Sequence, residues 1–203
     1  MTPPTNPSES PREGLKWVKI RRFLTLPFSP KSLATYQAVR RFEDISPDLL
    51  AADGIRGVLL DADGTLGPHH TRSFSGPVRD HVATLLAAGL KVAIFTNAME
   101  DRFEAFAGVT VVSDVPAKPD PAGFTTAMRR DLGLDDPQSV CMIGDNYITD
   151  GGAIDAGMRF IHVRPVPGPE NPFHRLFRFL AYLCARLYWP KAFRQSVSSQ
   201  KAE

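Results

Sequence analysis

The chain has 203 residues and a mass of 22.3 kDa, enough for one α/β domain with modest extensions and too little for two full-sized domains. Its 43% hydrophobic content excludes wholesale disorder, and two cysteines, Cys141 and Cys184, are too few for a disulfide framework and lack metal-ligand spacing. The formal charge of +2 conceals an asymmetry, +6 over residues 1–42, −9 over 43–163 and +5 over 164–203, so the middle of the chain and its two arms face different partners.

Residues 1–14 hold four prolines among polar residues and read as a disordered tail. They contain no apolar run of the kind that makes a cleaved secretory signal. Residues 15–42 turn basic and aromatic (LKWVKIRRFLTLPF, then KSLATYQAVRRF) and form an N-terminal arm. The core is assigned to residues 43–169. Its first strong β signal is Gly57–Asp61, an apolar run ending in a polar cluster, as expected of a strand buried on both faces of a parallel sheet. Four further runs follow at 91–96, 109–112, 140–143 and 160–163, with helices expected at 77–89, 99–107, 121–133 and 149–157. Alternating strands and helices predict a doubly wound, mostly parallel five-stranded sheet. In such sheets reactive groups lie beyond the carboxyl ends of the strands.

The polar residues at those ends carry the chemistry. After the first run comes Asp61-Ala62-Asp63-Gly64-Thr65-Leu66, where two carboxylates two residues apart share one pocket and Ala62 points away. Asp61 is the candidate nucleophile at phosphorus and Asp63 the acid/base for the leaving oxygen; a bare D-x-D-G is also an ordinary Asx-type turn. The second run ends in Thr96-Asn97, a hydroxyl and an amide able to hold a phosphoryl oxygen, or equally strand-end and cap residues. Lys118, between turn-forming residues in AKPDP, offers a fixed cation to phosphate. The fourth run ends in GDNYITDG, adding Asp145 and Asp150. Asp145 with Asp61 makes a hard oxygen site for Mg²⁺, while Asp150 also suits a helix N-terminus. A phosphate dianion entering beside Asp61, Asp63 and Asp145 is repelled unless a divalent cation and Lys118 offset the charge.

The ordered set DADGTL, FTN, AKPDP and GDNYITD resembles the four motifs of the haloacid dehalogenase superfamily of aspartate-dependent phosphohydrolases. The resemblance implies a Rossmann-like core with Asp61 as nucleophile and Asp63 as acid/base. It further implies phosphate binding by Thr96 and Lys118, Mg²⁺ held by Asp61, the Asp63 backbone carbonyl and Asp145, and Asp150 supporting from behind. The intervals from Asp63 to Thr96 and from Thr96 to Lys118 are filled by elements that the core itself needs, so a capless, open site is expected. The layout is also similar to the YqeG-type subclass IIIA phosphatases, which include phosphatidylglycerophosphate phosphatases, in its Leu24–Pro27 patch, its GIRGV approach to the first motif and its basic tail. It departs in having Gly64 where those members usually show Asn, and Asn146 where Gln is common.

The C-terminal helix is placed at 170–190, with a flexible tail at 191–203. Along PFHRLFRFLAYLCARLYW, Arg175, Arg178 and Arg186 fall in one narrow arc and aromatic and aliphatic residues cover much of the rest, the pattern of a helix lying in a membrane interface. A helix packed on the sheet or a homodimer seam is the alternative. No uncharged stretch approaches the roughly 18 residues of a spanning helix. The sequence thus predicts a Mg²⁺-dependent phosphomonoesterase, cytoplasmic and peripheral on the inner face of a membrane. Its arms would meet an anionic surface, and its substrate would be a phospholipid such as phosphatidylglycerophosphate; nucleic acid is not an expected partner. A soluble phosphatase for a phosphosugar, nucleotide or phosphoprotein, and a non-catalytic membrane-binding scaffold, are the other readings.

Overall fold

The computed structural model describes residues 16–97 and 102–198. The expected tail at 1–14 lies outside them. Six strands form one parallel sheet: β1 (Gln37–Val39), β2 (Gly57–Leu60), β3 (Lys91–Ile94), β4 (Thr110–Val111), β5 (Val140–Gly144) and β6 (Arg159–Val163), in the order β1-β6-β5-β2-β3-β4. The chain runs outward from β2 through β3 to β4, then crosses back to β5 on the other side of β2. The switch point therefore falls between β2 and β5, where a doubly wound sheet opens a crevice beyond its carboxyl edge. Register there is fixed by Gly57 opposite Val140 and Leu60 opposite Ile143, and the Asp61 N–H extends the ladder to the Ile143 carbonyl at 2.9 Å.

Alternation along the strands divides the core. Val58, Leu60, Val92, Ile94, Cys141 and Ile143 face one side, where α2 (Pro47–Ala52) and α3 (Gly76–Ala87) contribute Leu50, Val78, Val82 and Leu85. Leu59, Ala93, Val140, Met142 and Phe160 face the other, against Phe124 of α4 (Pro121–Thr126), Ala153 of α5 (Gly152–Asp155) and Ala181 and Ala185 of α6 (Pro172–Tyr188). Both faces are covered, which is why the strands read as unbroken apolar runs.

The sheet has one strand more than the five expected. β1 arises inside the segment read as an N-terminal arm, pairing with β6 through Gln37–Ile161 and Val39–Val163, and so belongs to the core. The helix expected at 99–107 is not formed over its described part, 102–107, which is a run of turns. Phe103 and Phe106 instead pin this loop to Phe74, with ring centroids 5.8 and 4.8 Å away. The helix expected at 121–133 is α4 followed by a π-helical turn, Ala127–Asp131. At the C-terminal end, Pro190 stops α6 as expected but opens α7 (Pro190–Ser198) where a flexible tail was expected, and Phe193 packs edge-on against Tyr182 at 5.4 Å. No described helix is long and apolar enough to cross a membrane.

α6 packs on the sheet, one of the alternatives raised for it, and leaves an apolar face exposed. Phe177, Arg178, Ala181, Cys184 and Ala185, spaced three and four apart, form the side that packs on the core. Phe173, Leu176, Phe179, Leu180, Leu183 and Leu187 remain exposed. Beside it α1 (Lys16–Thr25) stacks Phe23 on Phe177 at 4.4 Å and exposes Trp17, Ile20 and Leu24.

Candidate active site

The crevice at the switch point gathers side chains from four stretches of the chain. Asp61 follows β2, Asp145 follows β5, and Asp150 lies in the turn leading to α5. One carboxylate oxygen from each falls within 4.8 Å of the others, and all three residues are buried. Lys118 enters from the loop before α4, only 2% exposed, and places Nζ 2.5 Å from Asp61 Oδ1 and 2.6 Å from Asp150 Oδ1. Its ammonium also lies 5.8 Å from the centre of the Phe95 ring. Of the four residues expected to converge, Asp61, Lys118 and Asp145 do so and Asp63 does not join their cluster, while Asp150 joins it as a lysine partner rather than as a helix cap.

Two glycines make room for the carboxylates. A Cβ at Gly64, whose φ is +84°, would stand 2.3 Å from Asp145 Oδ2, and one at Gly144 would stand 2.4 Å from Asp150 Oδ2. The second member of the first motif is turned elsewhere. Asp63 accepts two hydrogen bonds from Arg102, at 2.9 and 2.7 Å, and one from the His70 N–H at 2.8 Å. Arg102 escaped the sequence reading because it fell within the helix expected at 99–107, where a single arginine is usually a solvated surface residue.

Asn97 departs from its expected role. Its amide donates to the Lys118 carbonyl and accepts from the Lys118 N–H, both at 3.0 Å, so it clamps the lysine loop to the end of β3. Thr96 beside it is buried. Arg178 departs more sharply from the cationic stripe to which it was assigned. It is buried and gives one nitrogen to Asp145 Oδ2 at 2.6 Å and the other to Glu170 Oε2 at 2.7 Å. Two carboxylates on the core side draw this one arginine inward. The described residues between β2 and β3, and between β3 and Lys118, include no cap domain, yet α6 with the 164–170 segment walls one side of the crevice.

The electrostatics follow from burial and crowding. Burial first, and then the Asp150 charge, push the Asp61 carboxyl up to about 7 against the pull of Lys118. Burial likewise raises Asp145 well above the usual carboxylate range although Arg178 opposes it. Burial works against ionising Asp63 too, but the Arg102 and His70 hydrogen bonds outweigh it and hold that carboxyl below its ordinary value. Lys118 is held above the ordinary lysine value because the Asp150 and Asp61 charges overcome its desolvation. Among the described residues, Asp61, Asp145, Asp150 and Glu170 share the cations Lys118 and Arg178, with the His69 imidazole 3.8 Å from Glu170. The crowded donors are all hard carboxylate oxygens, and Gly64 leaves the space in front of Asp145 clear. This set fits Mg²⁺, with Asp61 and Asp145 the residues placed to hold it.

Residues 71–157 match the family model described as haloacid dehalogenase-like hydrolase, a span that includes Thr96, Lys118, Asp145 and Asp150 and begins after Asp61. Over that span, less than half of its length, the chain is similar to haloacid dehalogenase-like hydrolases. Among solved structures, an uncharacterized protein from Listeria monocytogenes serotype 4b is similar at 18% identity and TM-score 0.42, over 59% of this chain and 81% of that one. The core domain of a putative phosphoglycolate phosphatase from Streptococcus pneumoniae TIGR4 is similar at 18% identity and TM-score 0.40, over 61% and 95%. The 3-deoxy-D-manno-octulosonate 8-phosphate phosphatase of Yersinia pestis is similar at 17% identity and TM-score 0.41, over 73% and 90%. No curated protein matches the chain.

Proposed function

We propose that this protein is a Mg²⁺-dependent phosphomonoesterase that works through an aspartyl phosphate on Asp61. The observation that carries the reading is the clustering of three buried carboxylates, Asp61, Asp145 and Asp150, around the ammonium of Lys118 at the switch point of the sheet. An Asp61 oxygen attacks phosphorus as the bond to the leaving alcohol breaks, and Asp63, which must first leave Arg102 and take up a proton, gives that proton to the alcohol. Water, relieved of a proton by Asp63, then attacks the phosphorus of the acyl phosphate, freeing phosphate and restoring the Asp61 carboxylate. Lys118 orients Asp61 and offsets charge on the phosphoryl oxygens, Asp150 anchors Lys118, and Thr96 is the hydroxyl assigned to a phosphoryl oxygen. Bound Mg²⁺ supplies charge neutralisation to this crowded carboxylate site.

The substrate we favour is a phospholipid with an anionic phosphorylated headgroup, phosphatidylglycerophosphate or one like it, met at a membrane surface. The YqeG-type layout supports it, and so does the surface formed by α1 and α6. There Trp17 and Leu187 are 81% and 77% exposed on helices that also carry Lys16, Lys19, Arg175 and Arg186, a composition suited to an anionic interface. Phosphate release from an aryl phosphate with Mg²⁺, lost in Asp61→Asn, tests the chemistry. Full activity in that variant overturns it. Flotation with anionic and with neutral vesicles at low salt tests the surface, and absence of binding to the anionic vesicles overturns that part.

A further inference from the structure

A cavity of about 950 Å³ opens beside the crevice, and Asp145 forms part of its wall, so it reaches the candidate reaction centre. Five arginines line it: Arg40, Arg164, Arg175, Arg178 and Arg186. Its carboxylates, Asp145 and Glu170, are both already bound by Arg178. The other four arginines form no ion pair among the described residues.

Their origin sets this cavity apart from an ordinary solvated helix face. Arg40 and Arg164 follow β1 and β6, side by side, because the Arg164 N–H bonds to the Val39 carbonyl at 3.0 Å. Arg175 and Arg186 are eleven residues apart on α6, three turns on one face, with Phe179 and Tyr182 of the same helix lining the cavity between them. Cations brought together from two strand ends and a helix repel one another, and an anion among them relieves that repulsion. The planar guanidinium fork suits the paired oxygens of a phosphate group.

We propose that this cavity is a second anion site, which receives a phosphate or phosphodiester carried on the leaving alcohol of the substrate. The inference rests on the phosphatase reading above and makes the substrate class a phosphomonoester bearing a second phosphate-type anion. Such an anion comes from a lipid headgroup or from a soluble bisphosphorylated compound.

Initial rates of phosphate release by the full chain with Mg²⁺ separate the possibilities. The esters are sn-glycerol 3-phosphate, glycerophosphoglycerol phosphate, and the short-chain diacyl form of the latter below its micellar concentration. The expected kcat/KM is higher by about tenfold or more for glycerophosphoglycerol phosphate than for glycerol 3-phosphate. In the double variant Arg175→Gln, Arg186→Gln that ratio falls toward one, whereas Arg129→Gln, a remote surface change, preserves it. A further gain on acylation assigns the anion to a lipid headgroup, and equal rates for the two diester-bearing forms assign it to a soluble compound. Equal rates for the first two esters overturn the proposal, as does a preference that appears only with acyl chains. Binding of glycerophosphoglycerol, which has the diester but no monoester, is followed separately by NMR chemical shifts. Shifts at Arg40 and Arg164 that disappear in the double variant support the site, and their absence at millimolar ligand overturns it. If no ester is hydrolysed the phosphatase reading fails, and this binding measurement still decides the cavity.

Discussion

The guanidinium of Arg178 on α6 lies 2.6 Å from the Asp145 carboxylate that follows β5, joining the C-terminal helix to the carboxylate-lined crevice. Removing one partner of a buried ion pair costs about 3–5 kcal/mol, because the other charge stays buried without compensation. Arg178→Ala leaves two carboxylates, Asp145 and Glu170, in that state. Urea unfolding is expected to show a loss of this size, with a smaller loss for Arg178→Lys, which keeps the charge but not the fork. An unchanged midpoint in Arg178→Ala contradicts the coupling.

Asp61 and Lys118 respond in opposite ways to substitution. Asp61→Asn removes one of three crowded carboxylates, so activity disappears while stability without metal stays level or rises, as at other sites where function strains the fold. Lys118→Met strands Asp150, which is wholly buried, and both activity and about 3 kcal/mol of stability are lost. Thermal unfolding of the two variants, read beside phosphate release, checks this. A destabilised Asp61→Asn protein is the unfavourable result.

These contrasts bear on what the sequence made legible. The strands from β2 onward were readable because both faces of the sheet are covered and each strand is a short apolar block between polar ends. β1 was not, since Gln37-Ala38-Val39 is three residues long and sits among basic residues. The carboxylates and Lys118 were readable because each stands at a strand end or in an adjoining loop. Arg102 and Arg178 were hidden for one shared reason. Their partners, Asp63 and Asp145, are 39 and 33 residues away along the chain, and a helical wheel shows that α6 carries a cationic stripe without showing which arginine turns inward.

Asp63 is expected to matter according to the leaving group. General acid–base assistance is worth about 10²–10⁴ in rate when the departing oxygen needs a proton. A p-nitrophenolate needs little help, whereas an alkoxide needs much. Asp63→Asn therefore slows alkyl phosphate hydrolysis by two orders of magnitude or more, roughly in line with that contribution, and slows p-nitrophenyl phosphate hydrolysis distinctly less. Equal losses for the two esters would place Asp63 outside proton transfer.

Metal binding is measurable without catalysis. A cation that binds the folded chain alone stabilises it by mass action, about 2.7 kcal/mol at a hundredfold excess over Kd. For a domain of this size, that raises Tm by roughly 5–10 °C. Mg²⁺ is expected to produce such a shift in the wild type and a much smaller one in Asp145→Asn. No shift at tens of millimolar Mg²⁺ would remove the metal from the crevice.

His162 supplies a pH dependence remote from the reaction. It lies inside the fold, stacked on Tyr147 with ring centroids 5.3 Å apart. Burial first, and then the Arg178 charge, lower its pKa from 6.5 to about 3. Between those values the unfolded chain takes up a proton that the folded chain refuses, so stability falls as the solution is acidified from about pH 6.5, by at most about 1.4 kcal/mol per pH unit from this group. Asp61 and Asp145, whose pKa values are raised, oppose that trend, and the wild type alone does not isolate it. The difference between wild type and His162→Gln does, because both carry the same carboxylates. Urea midpoints at pH 7, 6, 5 and 4 are expected to fall more steeply for the wild type, and parallel lines would mean that His162 titrates freely inside the fold.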